Sequence, residues 1–172
     1  MKKILSSKLL YDGRVIKVLF DEVEVDGMLL KREIVRHSGG CAVLAEKDGK
    51  FAFVTQYRHP FGENFFELPA GKREIGEPVS ITASRELEEE CGLKPTSLEF
   101  ICEYAVSPGY TDEIIYLYYA NDFELASQHF DDDEQLEVNW LDKNEALSLA
   151  KSGKIKDGKS LVALLWYAVN KA

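Results

Sequence analysis

Residues 71–93 run GKREIGEPVSITASRELEEECGL, from Gly71 to Leu93, and the rest of the chain is best read outward from them. Pro78 suits a first helical turn, because its φ is already helical and an N–H is not needed there. Gly92 suits the left-handed residue that ends a helix. The spacing therefore predicts a helix over 78–91, with Ala83, Leu87 and Cys91 recurring every four residues as its core-facing stripe. Four of the last five residues before Cys91 are acidic: Glu86, Glu88, Glu89 and Glu90. A helix C-terminus carries the negative pole, so each exposed carboxylate there is disfavoured by about 0.3–1 kcal/mol. Glu86 stands three and four residues from Glu89 and Glu90, which adds repulsion of about 0.2–0.5 kcal/mol per pair. Arg85 can reach Glu88 or Glu89, but it cannot neutralise four acids. Such a face is either solvated or shared with another cation, and hard ions such as Mg²⁺ or Mn²⁺ prefer oxygen ligands.

The composition sets the frame for that helix. At 172 residues, with 45% hydrophobic and 30% charged residues, the chain has the make-up of one globular domain. The longest apolar run, Leu161 to Val169, is about half a bilayer span. Ser6, Ser7 and Lys8 interrupt the apolar stretch that a signal peptide needs. The formal charge is −9, and residues 121–145 carry nine acids against Lys143 alone. An acidic chain with pI near 4.9 lacks the electrostatic footprint of a nucleic-acid binder. Cys41, Cys91 and Cys102 form no C-x-x-C pair, which argues against a disulfide framework or structural zinc. The expectation is a cytoplasmic protein with no membrane or nucleic-acid partner.

Strands and turns surround the helix. Residues 14–24 and 29–36 read as a strand pair about the Asp26-Gly27 turn, and Cys41–Ala45 and Phe51–Tyr57 as a second hairpin. Asn64–Leu68, Leu98–Val106, Ile114–Ala120 and Gln135–Trp140 are rich in branched and aromatic residues, as strands are. Asp142-Lys-Asn-Glu145 has capping-box spacing for a helix to about Lys151. Ser160 is the expected cap of a last helix, whose apolar residues 161–169 go nearly all the way round and predict burial. Trp140 and Trp166 fall in core patterns, whereas His37, His59 and His129 share no metal spacing and read as surface or turn residues. Strands dominate and alternating βαβ units are lacking, so the class is α+β.

Counting from Gly71, the residues Gly71, Glu77, Arg85, Glu86, Leu87, Glu89, Glu90, Gly92 and Leu93 fill G-x5-E-x7-R-E-U-x-E-E-x-G-U, where U is aliphatic. This resembles the Nudix box at all nine specified positions. The resemblance implies the Nudix fold, a mixed β-sheet sandwiched between helices, as one domain over 1–172. It also implies metal-dependent hydrolysis of a nucleoside diphosphate linked to another group. By position, Glu86 and Glu90 look like the main metal ligands, with Glu89 sharing a further ion and Ala70 offering its backbone carbonyl. Arg85 and Glu77 look like a structural pair orienting the helix carboxylates, and Gly71 and Gly92 are box glycines. Mg²⁺ is the expected metal, with Mn²⁺ as the alternative.

Flanking residues resemble the ADP-ribose pyrophosphatase branch. Pro108, in Ser107-Pro108-Gly109, lies sixteen residues after Gly92, the spacing that marks the branch. Gln56-Tyr57-Arg58 and Phe66-Glu67-Leu68-Pro69-Ala70-Gly71 look like its approach to the box. Asp131-Asp-Asp-Glu-Gln-Leu-Glu-Val138 resembles its late catalytic loop, where Glu134 matches the general base and Asp132 a position cast in the same role in some relatives. Arg58 is the residue expected to hold a phosphate, since a guanidinium fork suits phosphate oxygens. Glu113 is expected at the substrate or a metal, with a plain strand-edge charge as the other reading. The branch commonly exchanges N-terminal strands between subunits, so residues 1–36 are expected to form a homodimer. The implied reaction converts ADP-ribose to AMP and ribose 5-phosphate. GDP-mannose or ADP-glucose hydrolysis, and a non-catalytic nucleotide sensor, are the alternatives.

Overall fold

The computed structural model describes residues 2–74, 76–129 and 136–171. They form two compact units, residues 1–39 with 104–114 and residues 40–103 with 115–172.

The first unit is built on an antiparallel sheet of β1 (Lys2–Asp12), β2 (Lys17–Val25) and β3 (Met28–Arg36), in that order. The β2–β3 pair is the one the alternation predicts, turning at Asp26 and Gly27, both at positive φ. β1 has no counterpart among the expected strands. Its apolar residues come in pairs, Ile4-Leu5 and Leu9-Leu10, because the register against β2 slips between Ile4 and Ser6 and again between Leu9 and Tyr11. Each slip inserts one extra residue and breaks the period-two signal. Every residue of β1 is exposed, so no buried face selects strict alternation either.

The second unit is a mixed sheet between helices. Its strands are β4 (Gly40–Lys47), β5 (Lys50–Arg58), β6 (Glu63–Glu67) and β7 (Ala70–Lys72), followed by α1 (Val79–Cys91). Then come β8 (Leu93–Pro95), β9 (Glu99–Ala105), β10 (Ile114–Ala120), β11 (Phe123–Leu125) and β12 (Leu136–Asp142), and finally α2 (Lys143–Lys151) and α3 (Gly158–Asn170). The main order is β12-β5-β4-β10-β9, with β6 added to β5 and β7 to β4. β10 runs parallel to β4, and the β4–β5, β5–β12, β5–β6 and β4–β7 pairs are antiparallel.

Both faces of the central strands are covered, which explains why Cys41–Ala45 is apolar without alternation. Cys41, Val43 and Ala45 pack with Ala83 and Leu87 of α1, and Tyr118 and Ala120 join them. The opposite face meets α3: Phe51 packs edge-on against Tyr167, with ring centroids 4.9 Å apart, and Tyr119 against Trp166 at 5.8 Å.

Three local expectations change. Asp157, not Ser160, caps α3: its carboxylate accepts from the Ser160 N–H at 3.0 Å, while the wholly buried Ser160 hydroxyl donates to Asp157 and accepts from the Leu68 N–H. α3 buries only a stripe, Ala163, Leu164 and Tyr167, and Leu165 and Val169 remain exposed. The helix packs against β4 on one side with α2 alongside. Trp140 is 38% exposed rather than core. No helix among the described residues is long and apolar enough to cross a membrane.

Candidate active site

The chemistry-bearing face belongs to α1. The helix starts after Pro78, whose φ of −60° and ψ of 136° place it at the cap without a side-chain hydrogen bond. Its N-terminal turn is tied instead by Glu77, which accepts from Thr82 Oγ1 at 2.7 Å. At the other end Gly92 adopts φ 65°, and its N–H donates to the Glu88 carbonyl at 2.8 Å. A Cβ there would lie 2.9 Å from the Ala126 carbonyl oxygen, so glycine is required by both conformation and space.

The acids of the helix are not a uniformly solvated face. Glu86 and Glu90 are buried, at 9% and 2% exposure, while Glu88 and Glu89 are half-buried. Buried carboxylates require hydrogen bonds and opposite charge. Arg85 supplies part of this: its Nη1 lies 2.9 Å from Glu86 Oε1 and 2.8 Å from Glu89 Oε2, and its Nε 3.3 Å from Glu77 Oε1. Nη2 donates to the Lys72 carbonyl at 3.3 Å. Burial would lower the Arg85 pKa, but the Glu77 hydrogen bonds and the charges of Glu86 and Glu89 more than reverse this and drive it upward. The Glu77 carboxyl is held below its ordinary range, chiefly by the Thr82 hydroxyl and then by Arg85. The expected Arg85–Glu77 pair is thus present, and Arg85 reaches Glu86 in addition to the expected Glu89.

The strand before the box supplies the remaining support. The Ala70 N–H donates to Glu90 Oε2 at 2.9 Å. Gly71 lies directly beneath Glu86: a Cβ at that position would come within 2.0 Å of the Glu86 carboxylate carbon. The glycine is demanded here by close approach, and its backbone is not at positive φ.

One guanidinium therefore faces Glu77, Glu86 and Glu89. Among the described residues no cluster of three His, Cys, Asp or Glu side chains converges as a ready metal cage, and Glu86 and Glu89 are joined through Arg85 instead. The donor set nevertheless fits a hard divalent cation in kind, being oxygen-only, and Gly71 leaves the Glu86 carboxylate room. A cavity of about 380 Å³ adjoins this face, lined by Ile81, Ser84, Arg85, Glu88, Glu89 and His129. A larger one, of about 760 Å³, includes Cys91, Leu93 and Trp140 and takes in none of the box carboxylates.

The other expected residues are distributed as follows. Arg58 forms a fork on Glu67, Nε to Oε1 and Nη2 to Oε2 both at 2.6 Å, and its side chain stays 39% exposed. Pro108 and Glu113 lie in the first unit: Pro108 is in a turn where the Tyr110 N–H donates to the Ser107 carbonyl at 3.2 Å, and Glu113 stands 3.5 Å from His37 Nδ1. Glu134 and Asp132 lie outside the described residues. His129 borders the acidic face, and its backbone N–H donates to the Glu89 carbonyl at 2.9 Å.

Sequence reasoning passed over one cluster. Glu67, 2% exposed, is held by Arg58 and also by Lys159, which in turn reaches Asp157 at 3.0 Å. Ser160 Oγ accepts the Leu68 N–H at 2.8 Å. Lys159 and Ser160 are 92 residues from these partners, and no local pattern announces such a pairing.

Known proteins resemble this chain over most of its length. The model of the NUDIX domain matches residues 35–164. A Bacillus methanolicus protein described as methanol dehydrogenase activator is 39% identical, with 99% of this chain and 95% of that protein covered. The ADP-ribose pyrophosphatase of Bacillus subtilis is 37% identical over the same shares, and that of Mycobacterium tuberculosis 31% identical over 94% of this chain and 80% of its own. A solved structure described as an ADP compounds hydrolase superimposes with a TM-score of 0.85, covering 98% of this chain and 92% of its own at 21% identity, a likeness of fold. With the box carboxylates in place on their helix, the chain belongs to the Nudix family, and it is a Nudix hydrolase with ADP-ribose pyrophosphatases among its relatives.

Proposed function

We propose that this hydrolase cleaves the diphosphate bond of ADP-ribose, giving AMP and ribose 5-phosphate, with Mg²⁺ as its metal and Mn²⁺ as a substitute. The observation that carries the chemistry is the burial of two carboxylates, Glu86 and Glu90, four residues apart on one helix beside Gly71 and Ala70. Glu86 and Glu90 would hold the metal, with Glu89 at a further ion and the Ala70 carbonyl as an additional oxygen donor. A bound divalent cation there would offset the diphosphate charge, polarise phosphorus and lower the pKa of the attacking water.

The chain's own groups do the rest. Arg85, locked to Glu77, orients Glu86 and Glu89. Glu134, with Asp132 as the alternative, takes the proton of the water that adds to phosphorus while the bond to the bridging oxygen breaks. Arg58 holds a phosphate oxygen, its guanidinium plane fixed by Glu67 so that little rotational freedom is lost on binding. Pro108 and Glu113 contact the substrate. Residues 1–172 work as one Nudix domain in the cytoplasm, a compartment suited to three free thiols. The N-terminal strands form a homodimer, which the wholly exposed edge strand β1 supports.

The adenine choice draws on the two ADP-ribose pyrophosphatases. A GDP-mannose pyrophosphatase of Yersinia enterocolitica, 30% identical over 88% of this chain, favours GDP-mannose as the second substrate reading. Phosphate release from a nucleotide panel, with Mg²⁺ and a phosphatase that acts only on the monophosphate products, separates these. Fast turnover of ADP-ribose that Glu90→Gln abolishes is the expected result. Turnover of GDP-mannose or ADP-glucose instead would overturn the substrate, and binding of ADP-ribose without turnover would favour a sensor.

A further inference from the structure

The charged cluster at the start of α3 has no part in the box and is costly to bury. Glu67 and Lys159 are 2% and 8% exposed, and Ser160 is wholly buried. Buried ion pairs contribute little net stability over apolar packing, so their retention points to a role in geometry. The geometry they define leads to one place. Asp157 fixes Ser160 and Lys159. Ser160 Oγ accepts from the Leu68 N–H, and Lys159 together with Arg58 grips Glu67. Over the next three residues the Pro69 carbonyl accepts from Val43 at 3.0 Å, the Ala70 N–H meets Glu90, and Gly71 backs the Glu86 carboxylate. Five consecutive residues thus join the N-terminus of α3 to the two deepest carboxylates of the box helix.

We propose that Asp157, Lys159 and Ser160 are positioning residues for the Nudix box: they hold Glu67–Gly71 in register so that Ala70 and Gly71 meet Glu90 and Glu86. The inference rests on the metal-dependent hydrolysis proposed above. In Ser160→Ala the Leu68 N–H loses its acceptor in a site water does not reach, and the strand shifts at its anchor. Displacements on the order of 1 Å in a reacting constellation cost rate by up to about a hundredfold.

The test compares full-length wild type with Ser160→Ala, Ser160→Thr, Lys159→Gln and a control, Leu161→Ala, which truncates an apolar side chain of the same turn and leaves the Leu161 N–H bond to the Asp157 carbonyl in place. Three quantities are measured: the amide exchange rate of Ala70 in the metal-free protein, Mn²⁺ affinity without substrate, and kcat and KM separately. The expected result is exchange at Ala70 about tenfold faster in Ser160→Ala, weaker Mn²⁺ binding, and kcat lowered about tenfold more than KM changes, with Ser160→Thr restoring all three. Leu161→Ala is expected to lower thermal stability while keeping the wild-type kcat. Unchanged Ala70 exchange and Mn²⁺ affinity in folded Ser160→Ala would overturn the proposal, as would equal kcat losses in Leu161→Ala. If Ser160→Ala does not fold, Lys159→Gln decides by the same readouts. A wild type that hydrolyses no diphosphate would refute the function instead, and the exchange measurement would still judge the positioning.

Discussion

Replacing Gly71 with alanine isolates the close approach between the strand and the box helix. A Cβ on residue 71 would stand 2.0 Å from Glu86 Cδ and 2.1 Å from both carboxylate oxygens. Ordinary contact begins near 3.4 Å, so the carboxylate must retreat by about 1.4 Å. The obstructing atoms are the end of a flexible side chain and the backbone is not in the left-handed region, so the fold should survive. Overpacking costs about 1–3 kcal/mol in general, and the low end applies to a side chain that can rotate away. Loss of the partly exposed Arg85–Glu86 pair adds less than about 1 kcal/mol. The expected fall in Tm is therefore about 2–4 °C per kcal/mol lost, or only a few degrees. Function should fall much further. A shift of more than 1 Å in a proposed ligand predicts a loss of about a hundredfold in kcat and a comparable weakening of Mn²⁺ binding. The assay is ADP-ribose turnover coupled to a phosphatase, with Mn²⁺ titration and a thermal melt on the same preparation. A folded Gly71→Ala enzyme with wild-type turnover and Mn²⁺ affinity would refute the reasoning, because Glu86 could not then act from its position over residue 71.

Glu67→Gln should cost about 3 kcal/mol at neutral pH, since it leaves Lys159 and Arg58 around a neutral partner. Burial would raise the Glu67 pKa, but Arg58 and Lys159 bring it below the ordinary value, so its stabilisation is complete above about pH 4.3 and is lost as pH falls through the lower folded pKa. Urea melts should therefore show the gap between wild type and variant closing on acidification below about pH 4.3, and a constant gap would count against it. Arg85→Lys keeps the charge but cannot span Glu77, Glu86 and Glu89 together, and kcat is expected to fall about 10–100-fold with little change in Tm; wild-type turnover would refute the orienting role. Light scattering at micromolar concentration should find a dimer, and Leu9→Glu with Leu10→Glu on exposed β1 should give a folded monomer. A monomeric wild type would remove the dimer from the proposal.

What the chain determines locally was legible in its sequence. Pro78 and Gly92 bound α1 in the structure as their φ preferences require, and the Ala83–Leu87 stripe meets the sheet. Helix periodicity put the acids of that helix on one face but left a solvated and a cation-bearing reading both open, and the resemblance of residues 71–93 to the Nudix box is what pointed to the family. The tertiary structure alone decided which acids are buried, that Gly71 serves the Glu86 carboxylate rather than a turn, and that Arg58 is clasped by Glu67. It also decided that Asp157 rather than Ser160 caps α3, since Ser160 is taken by Leu68, 92 residues away. A period or a cap is set by neighbours a few residues off. Burial of a charge depends on what stands opposite, and partners so distant in sequence leave no mark on the local pattern.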